Sequence, residues 1–207
     1  MPDDKIQAFK ATLQQKIQTL ITEFAEGTIS REQFHAIYER YTGQIALADM
    51  AGSANENSAA AIISMAQDGP PTIAVKESMI AKAIGMAIYD HRSGTLLETL
   101  GAFDVPPDKL APILNDFSLM IENRKRLERE VRKFAARKWL VFAAGRFTTV
   151  VTLFYNEPSE AQGREIARLH HDFEQANQPA FTSGKVDAGK LAYPFLVFVQ
   201  KKVQKKG

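Results

Sequence analysis

The residues able to do chemistry are few and scattered. Four histidines stand at His35, His91, His170 and His171. A helical metal site wants two ligands three or four residues apart. His170 and His171 are adjacent, so on a helix they point about 100° apart and cannot both face one ion. His91 follows Asp90, a pair with nothing further to complete a site. Cysteine is absent, which removes thiol nucleophiles, disulfides, Cys-bound zinc and iron–sulfur clusters. No G-x-G-x-x-G, no G-x-x-x-x-G-K-[ST] and no G-x-S-x-G elbow occurs. Thr182-Ser183-Gly184-Lys185 has the letters that end a phosphate loop. The earlier glycine and the strand-to-helix context are missing, so a turn is expected there. Glu26-Gly27-Thr28-Ile29 before a helix hints at a calcium loop, but Thr22 and Phe24 stand where Asp is needed. Asp172 and Glu174 beside Arg168 read as surface ion pairs worth little. Spacing therefore converges on no catalytic, cofactor-binding or metal-binding set, and an enzyme is the class with least support.

Charge is the sharper feature. The 26 Lys and Arg nearly balance the 24 Asp and Glu, for a net +2. Residues 1–105 hold 8 basic and 13 acidic groups, and residues 106–207 hold 18 and 11. The small net value is thus −5 against +7. Halves of opposite sign can attract each other within a chain or between subunits. Arg124, Lys125, Arg126, Arg129, Arg132, Lys133, Arg137 and Lys138 form one run, expected to be a basic helix over 124–138. Such a helix can neutralise phosphates and give salt-dependent binding. Glu128 and Glu130 interrupt it, and no aromatic residues interleave for base stacking. Nucleic acid and an anionic membrane are therefore alternative partners. The first reading is a solvated helix end or a protein interface, with Arg124, Lys125, Arg129, Arg132 and Lys133 as the candidate contact residues. A second basic stretch is the tail, residues 201–206.

The elements that must carry these groups follow from periodicity. Ile6, Phe9, Leu13, Ile17, Leu20, Ile21 and Phe24 recur at steps of three or four, a helical face. Gly27 is placed to stop this helix. Ser30 with Gln33 reads as a capping box for a second helix bearing Phe34, Ile37, Tyr38, Tyr41 and Ile45. Residues 4–50 should therefore form a helical hairpin, needing a partner surface or a second copy to bury its faces. Residues 51–60 are small and polar, a linker candidate. A short apolar run, 59–66, ends at Asp68-Gly69-Pro70-Pro71. Strands are expected at 83–89 and 95–100 around the Asp90-His91-Arg92-Ser93-Gly94 turn. A long helix follows from Pro107 to about residue 136. Residues 138–144 and 146–155 read as two more strands separated by Gly145. A helix from about 158 to 176 and an added strand at 193–199 close the chain. Domains are expected at 1–68 (helical) and 69–207 (α+β).

Two hairpins flanking a crossover helix make an antiparallel sheet with helices packed on it, the α+β class. The stretch 85–101 carries a strand ending in Asp, a Gly-containing turn, and an apolar strand leading to a helix. With residues 139–155, it resembles the roadblock / dynein light chain and longin group of profilin-like folds, over residues 84–176. The resemblance implies a non-catalytic dimerising scaffold or regulator of small Ras-like GTPases, with no shared catalytic residue set to transfer.

The expectation is then a non-enzymatic homodimer joined through helices, an interaction or regulatory module needing no cofactor. The first five residues are acidic and no apolar run reaches 18 residues, so a cytoplasmic protein is expected. An alternative is a small-ligand sensor of PAS-like kind, its pocket lined by Phe117, Phe142 and Phe154.

Overall fold

The three-and-four spacing at the start of the chain folds as helix. A computed structural model describes residues 2–52, 61–62, 64–66, 70–91, 93–122, 129–184 and 186–194. Helix α1 spans Pro2–Ala25 and α2 spans Arg31–Gly52. Gly27 between them takes φ +73°, the left-handed region open to glycine at no steric cost. The capping box forms in both directions: the Ser30 N–H donates to Gln33 Oε1 at 2.9 Å, and the Gln33 N–H donates to Ser30 Oγ at 3.2 Å. Leu13, Leu20, Ile29, Ile37 and Tyr41 are buried between the helices, and Lys10 pairs with Asp49 across them. Ser30→Ala removes one cap acceptor and should lower stability by about 1 kcal/mol, read as a drop in urea midpoint.

A short helix α3, Thr72–Ser78, joins this hairpin. The Gln33 side-chain amide donates to the Lys76 carbonyl at 2.9 Å, and Lys76 pairs with Glu23 at 2.7 Å. The chain divides into two compact units, Met1–Ile80 with Ser159–Ala161, and Ala81–Pro158 with Gln162–Gly207. The first unit thus extends beyond the double proline, because α3 is tied to α1 and α2. Most of the linker candidate, 53–60, and the tail at 201–206 lie outside the described residues, as does the expected strand at 193–199 beyond Pro194. No helix among the described residues is long and apolar enough to cross a membrane.

The second unit is a five-stranded antiparallel sheet of order β2-β1-β5-β4-β3. Its strands are β1 Lys82–Asp90, β2 Leu96–Gly101, β3 Arg129–Ala135, β4 Lys138–Ala144 and β5 Thr148–Tyr155. Helix α4, Pro107–Glu122, crosses from β2 toward β3. Helices α5, Glu160–Ala176, and α6, Gln178–Ser183, follow β5. The α+β class and the initial helical pair stand as expected.

The long helix does not. It ends at Glu122, residues 123–128 lie outside the described residues, and 129–135 pair with β4 as an edge strand. Leu127, Val131 and Phe134 also fit a helical spacing. In the fold, 129–135 instead hydrogen-bonds the open side of β4, where Arg129 faces Ala143 and Lys133 faces Trp139. A hairpin ladder to the very next strand overrode the helical period.

Helices cover both sheet faces. On one, Ile166 and Phe173 of α5 and Phe181 of α6 pack with Trp139, Val141, Val150 and Phe154. On the other, Leu110, Ile113 and Leu114 of α4 pack with Leu140, Phe142, Val151 and Leu153. Central strands β4 and β5 are therefore apolar on both sides.

Candidate functional site

Titratable groups converge at the end of the sheet where β1 stops, β4 turns into β5, and the later half of α5 lies against that turn. The turn is tight: the Gly145 N–H donates to the Thr148 carbonyl at 2.9 Å. This leaves the N–H groups of Arg146, Phe147 and Thr148 without strand partners on that side. Glu174 of α5 receives them. Its Oε2 accepts from the Arg146 N–H at 2.7 Å, and its Oε1 accepts from the Phe147 and Thr148 N–H groups at 2.8 Å each. The Thr148 hydroxyl donates to the same Oε1 at 2.9 Å. Three successive backbone amides make an anion-binding concavity, and the chain fills it with its own carboxylate.

His170 lies one turn earlier on α5 and is 3% exposed. The Thr148 hydroxyl gives its proton to Glu174, so it accepts from His170 Nε2–H, at 2.7 Å. His170 is then the neutral Nε2 tautomer. Burial pulls its pKa down to about 4; the Glu174 charge opposes this, while His91 and His171 add to it. Burial works to raise the Glu174 pKa, but the amides of Phe147, Arg146 and Thr148 and the nearby His170 outweigh it and hold the carboxyl below its usual range. Half-buried His91 bonds Thr149 Oγ1 through Nε2, and its N–H donates to the Phe147 carbonyl at 2.9 Å. Burial lowers its pKa against the pull of Glu174 and Asp90 and a hydrogen bond to the Arg146 backbone.

Histidine, threonine and glutamate in contact have the residue types of a nucleophilic triad, but the polarity is reversed. A nucleophile hydroxyl must give its proton to histidine. Thr148 gives it to the carboxylate and is fully buried. Among the described residues, no group of three His, Asp or Glu is arranged to hold a metal ion. What the cluster does is fix the β4–β5 turn.

All three pKa shifts lie below their ordinary values, so the native state binds fewer protons than the unfolded one in acid. For His170 the stabilisation is complete above about pH 6.5 and is lost as pH falls toward about 4, a change on the order of 3 kcal/mol. Urea midpoints measured across this window should fall with pH, and His170→Gln, which keeps a donor for Thr148, should flatten the profile.

The residues singled out by sequence are placed differently. Arg124 and Lys125 lie outside the described residues. There is no basic helix at 129–138, and its charges alternate across an edge strand. Arg129 extends over Gly163 of α5, where a Cβ would lie 2.9 Å from the arginine chain. Arg132 pairs with Glu130 at 2.6 Å. Lys133 lies 5.3 Å over the Trp139 ring, and Arg137 lies 4.5 Å over Tyr155 in the turn that follows. Arg129 and Lys133 share one face and Arg132 the other, so the strand presents no single cationic stripe.

Phe142 and Phe154 do not share a pocket. Phe142 pairs with Val151, three residues before Phe154 on β5, and an odd separation puts the two on opposite faces. Both are buried in the two separate cores, and the Phe117 side chain lies outside the described set. Arg168 does form surface pairs, with Glu165 at 2.6 Å and Asp172 at 3.2 Å. Glu174 takes no part in them. The overlooked signal was the His170–Glu174 spacing of four, which puts both on one face of α5, together with Gly145 at the facing turn. Gly184, in the stretch with phosphate-loop letters, is the left-handed cap of α6 at φ +70°. Compared with models of known protein families the chain matches none, and a comparison with curated proteins finds no match either.

Proposed function

We propose that this chain is a non-catalytic interaction and regulatory module that acts as a homodimer, with a small Ras-like GTPase as its partner. The observation that carries the non-catalytic reading is the state of the polar cluster. Glu174, Thr148 and His170 are committed to backbone amides and to one another. Chemistry needs convergent groups facing a substrate, whereas these groups face inward and stiffen a turn.

The dimer reading draws support from the first unit. Phe24, Phe34 and Tyr38 stack at ring distances of 4.7 and 5.5 Å on the hairpin surface. Phe24 is 41% exposed and Tyr38 37%. Aromatic side chains left in water suit a helix-mediated contact between copies. Light scattering at micromolar concentration should give twice the mass of one chain, and the mass of one chain would overturn the dimer.

The GTPase follows from the resemblance to the roadblock and longin group. The hairpin β1–β2, crossover α4 and closing α5 support it, although three strands, β3, β4 and β5, follow the crossover where the resemblance rests on two. Pull-down against a panel of bacterial small GTPases tests it, and absence of binding at high micromolar concentration would reject that partner.

A further inference from the structure

The β4–β5 turn fixes more than its own backbone. It holds Arg146 at the edge of a cleft of about 450 Å³ in the sheet unit. This volume lies in the range of small-molecule sites. One wall is polar, with His91, Ser93 and Thr95 from the end of β1 and its turn. The other is aromatic: Phe147 and Phe181 stack at 5.4 Å with their planes 16° apart. The Arg146 guanidinium stands 5.1 Å from the Phe147 ring centre.

Arg146 is fixed at its root, and its head lies over the Phe147 ring with no carboxylate partner among the described residues. Its N–H is held by Glu174 at 2.7 Å and its backbone also bonds His91. Its guanidinium forms no ion pair among the described residues. Glu174 is aimed at the amides instead. Asp90 also lines the cleft, but its Oδ1 accepts from the Ser93 N–H and Oγ–H at 2.8 Å each, turned into its own loop. An anchored guanidinium beside an aromatic shelf matches a carboxylate on a planar body. The fork binds two oxygens, and the ring stacks.

We infer that this cleft binds a small aromatic carboxylate, with the carboxylate on Arg146, the ring against Phe147 where buried Phe181 backs it, and a polar substituent toward Ser93 and Thr95. Arg146 and Phe147 also line the cavity across the turn, about 300 Å³, but there the Glu174 carboxylate shares the lining and repels a second anion.

The test is an NMR titration of the full chain with benzoate and 4-hydroxybenzoate, with benzamide as the neutral match. Saturable shifts should centre on Arg146, Phe147 and Phe181. Benzamide should bind about tenfold more weakly, the value of one charge-assisted contact. Arg146→Gln should weaken benzoate by about tenfold and move the thermal midpoint little, since the head group has no carboxylate partner among the described residues and its ring contact, over Phe147, is a weak one at an exposed residue. Val186→Trp, which adds bulk at another residue lining the cleft, should abolish binding while the spectrum stays folded. Added salt should weaken benzoate and leave benzamide unchanged. The inference is overturned by equal affinity for benzoate and benzamide, by indifference to Arg146→Gln, or by shifts centred on His171 and Gln175. Failure of either carboxylate to saturate by about 10 mM overturns it as well.

Discussion

Replacing Glu174 with alanine will destabilise the sheet unit by about 3–5 kcal/mol, the cost of breaking a buried hydrogen-bonded charge cluster. The side chain satisfies three backbone N–H groups and one hydroxyl, and the residue is 7% exposed. Its removal leaves four donors without their acceptor, the N–H and hydroxyl of fully buried Thr148 among them, and an orphaned buried donor costs far more than a typical hydrogen bond gains. Glu174→Gln keeps the shape and one acceptor but places an amide N–H₂ against a backbone N–H, so roughly half the loss is expected. Gly145 gives an independent check. A Cβ there would lie 2.3 Å from the Glu174 carboxyl carbon. Gly145→Ala should therefore cost about 2 kcal/mol in the native background and nearly nothing beside Glu174→Ala, a coupling readable in a double-mutant cycle. Additive losses, or a Glu174→Ala cost below about 1 kcal/mol in urea unfolding, would mean the carboxylate does not hold the turn.

Gly85→Ala is expected to cost about as much, for a steric reason. Gly85 lies within β1, opposite Gly101 of β2. The chain leaving β2 folds back over it: Gly101 has φ +68°, and the Ala102 N–H donates to the Ile84 carbonyl at 2.8 Å. A Cβ on Gly85 would lie 2.5 Å from the Ala102 carbonyl carbon and oxygen and from the Phe103 nitrogen. These are backbone atoms and cannot rotate away, so the crossover into α4 must shift. Val105 and Leu110 would move with it, loosening the core beneath Phe142. We expect a loss of about 3–5 kcal/mol, at the upper end for overpacking because backbone must move. Gly94→Ala is the control. Gly94 has φ +66° but nothing within 4 Å of its Cβ position, so only conformational strain of about 1 kcal/mol applies. Equal losses at the two glycines would remove the steric account.

The helical hairpin was legible because its signals are local. The spacing of Leu13, Leu20 and Ile37, the Ser30–Gln33 box and Gly27 each act within a few residues. The β1–β2 hairpin was legible for the same reason, since Asp90 and Gly94 encode its turn: Gly94 N–H donates to the Asp90 carbonyl at 2.9 Å. The central strands stood out because β4 and β5, buried on both faces, read as continuous apolar runs.

Strand β3 was not legible, because an edge strand with one polar residue in two resembles a charged helix until its partner is known. The site was hidden for a related reason. Glu174 and Thr148 are 26 residues apart, and nothing local separates a carboxylate that caps three amides from one that pairs with Arg168. Composition and periodicity determined the class, the helical pair, the apolar strands and the division of charge between the halves. Tertiary structure alone decided that residues 129–135 close a sheet, that Phe142 and Phe154 belong to different cores, and that Glu174 turns inward. Periodicity records which face of an element is buried, whereas hydrogen-bond partners distant in sequence are chosen only when the elements meet.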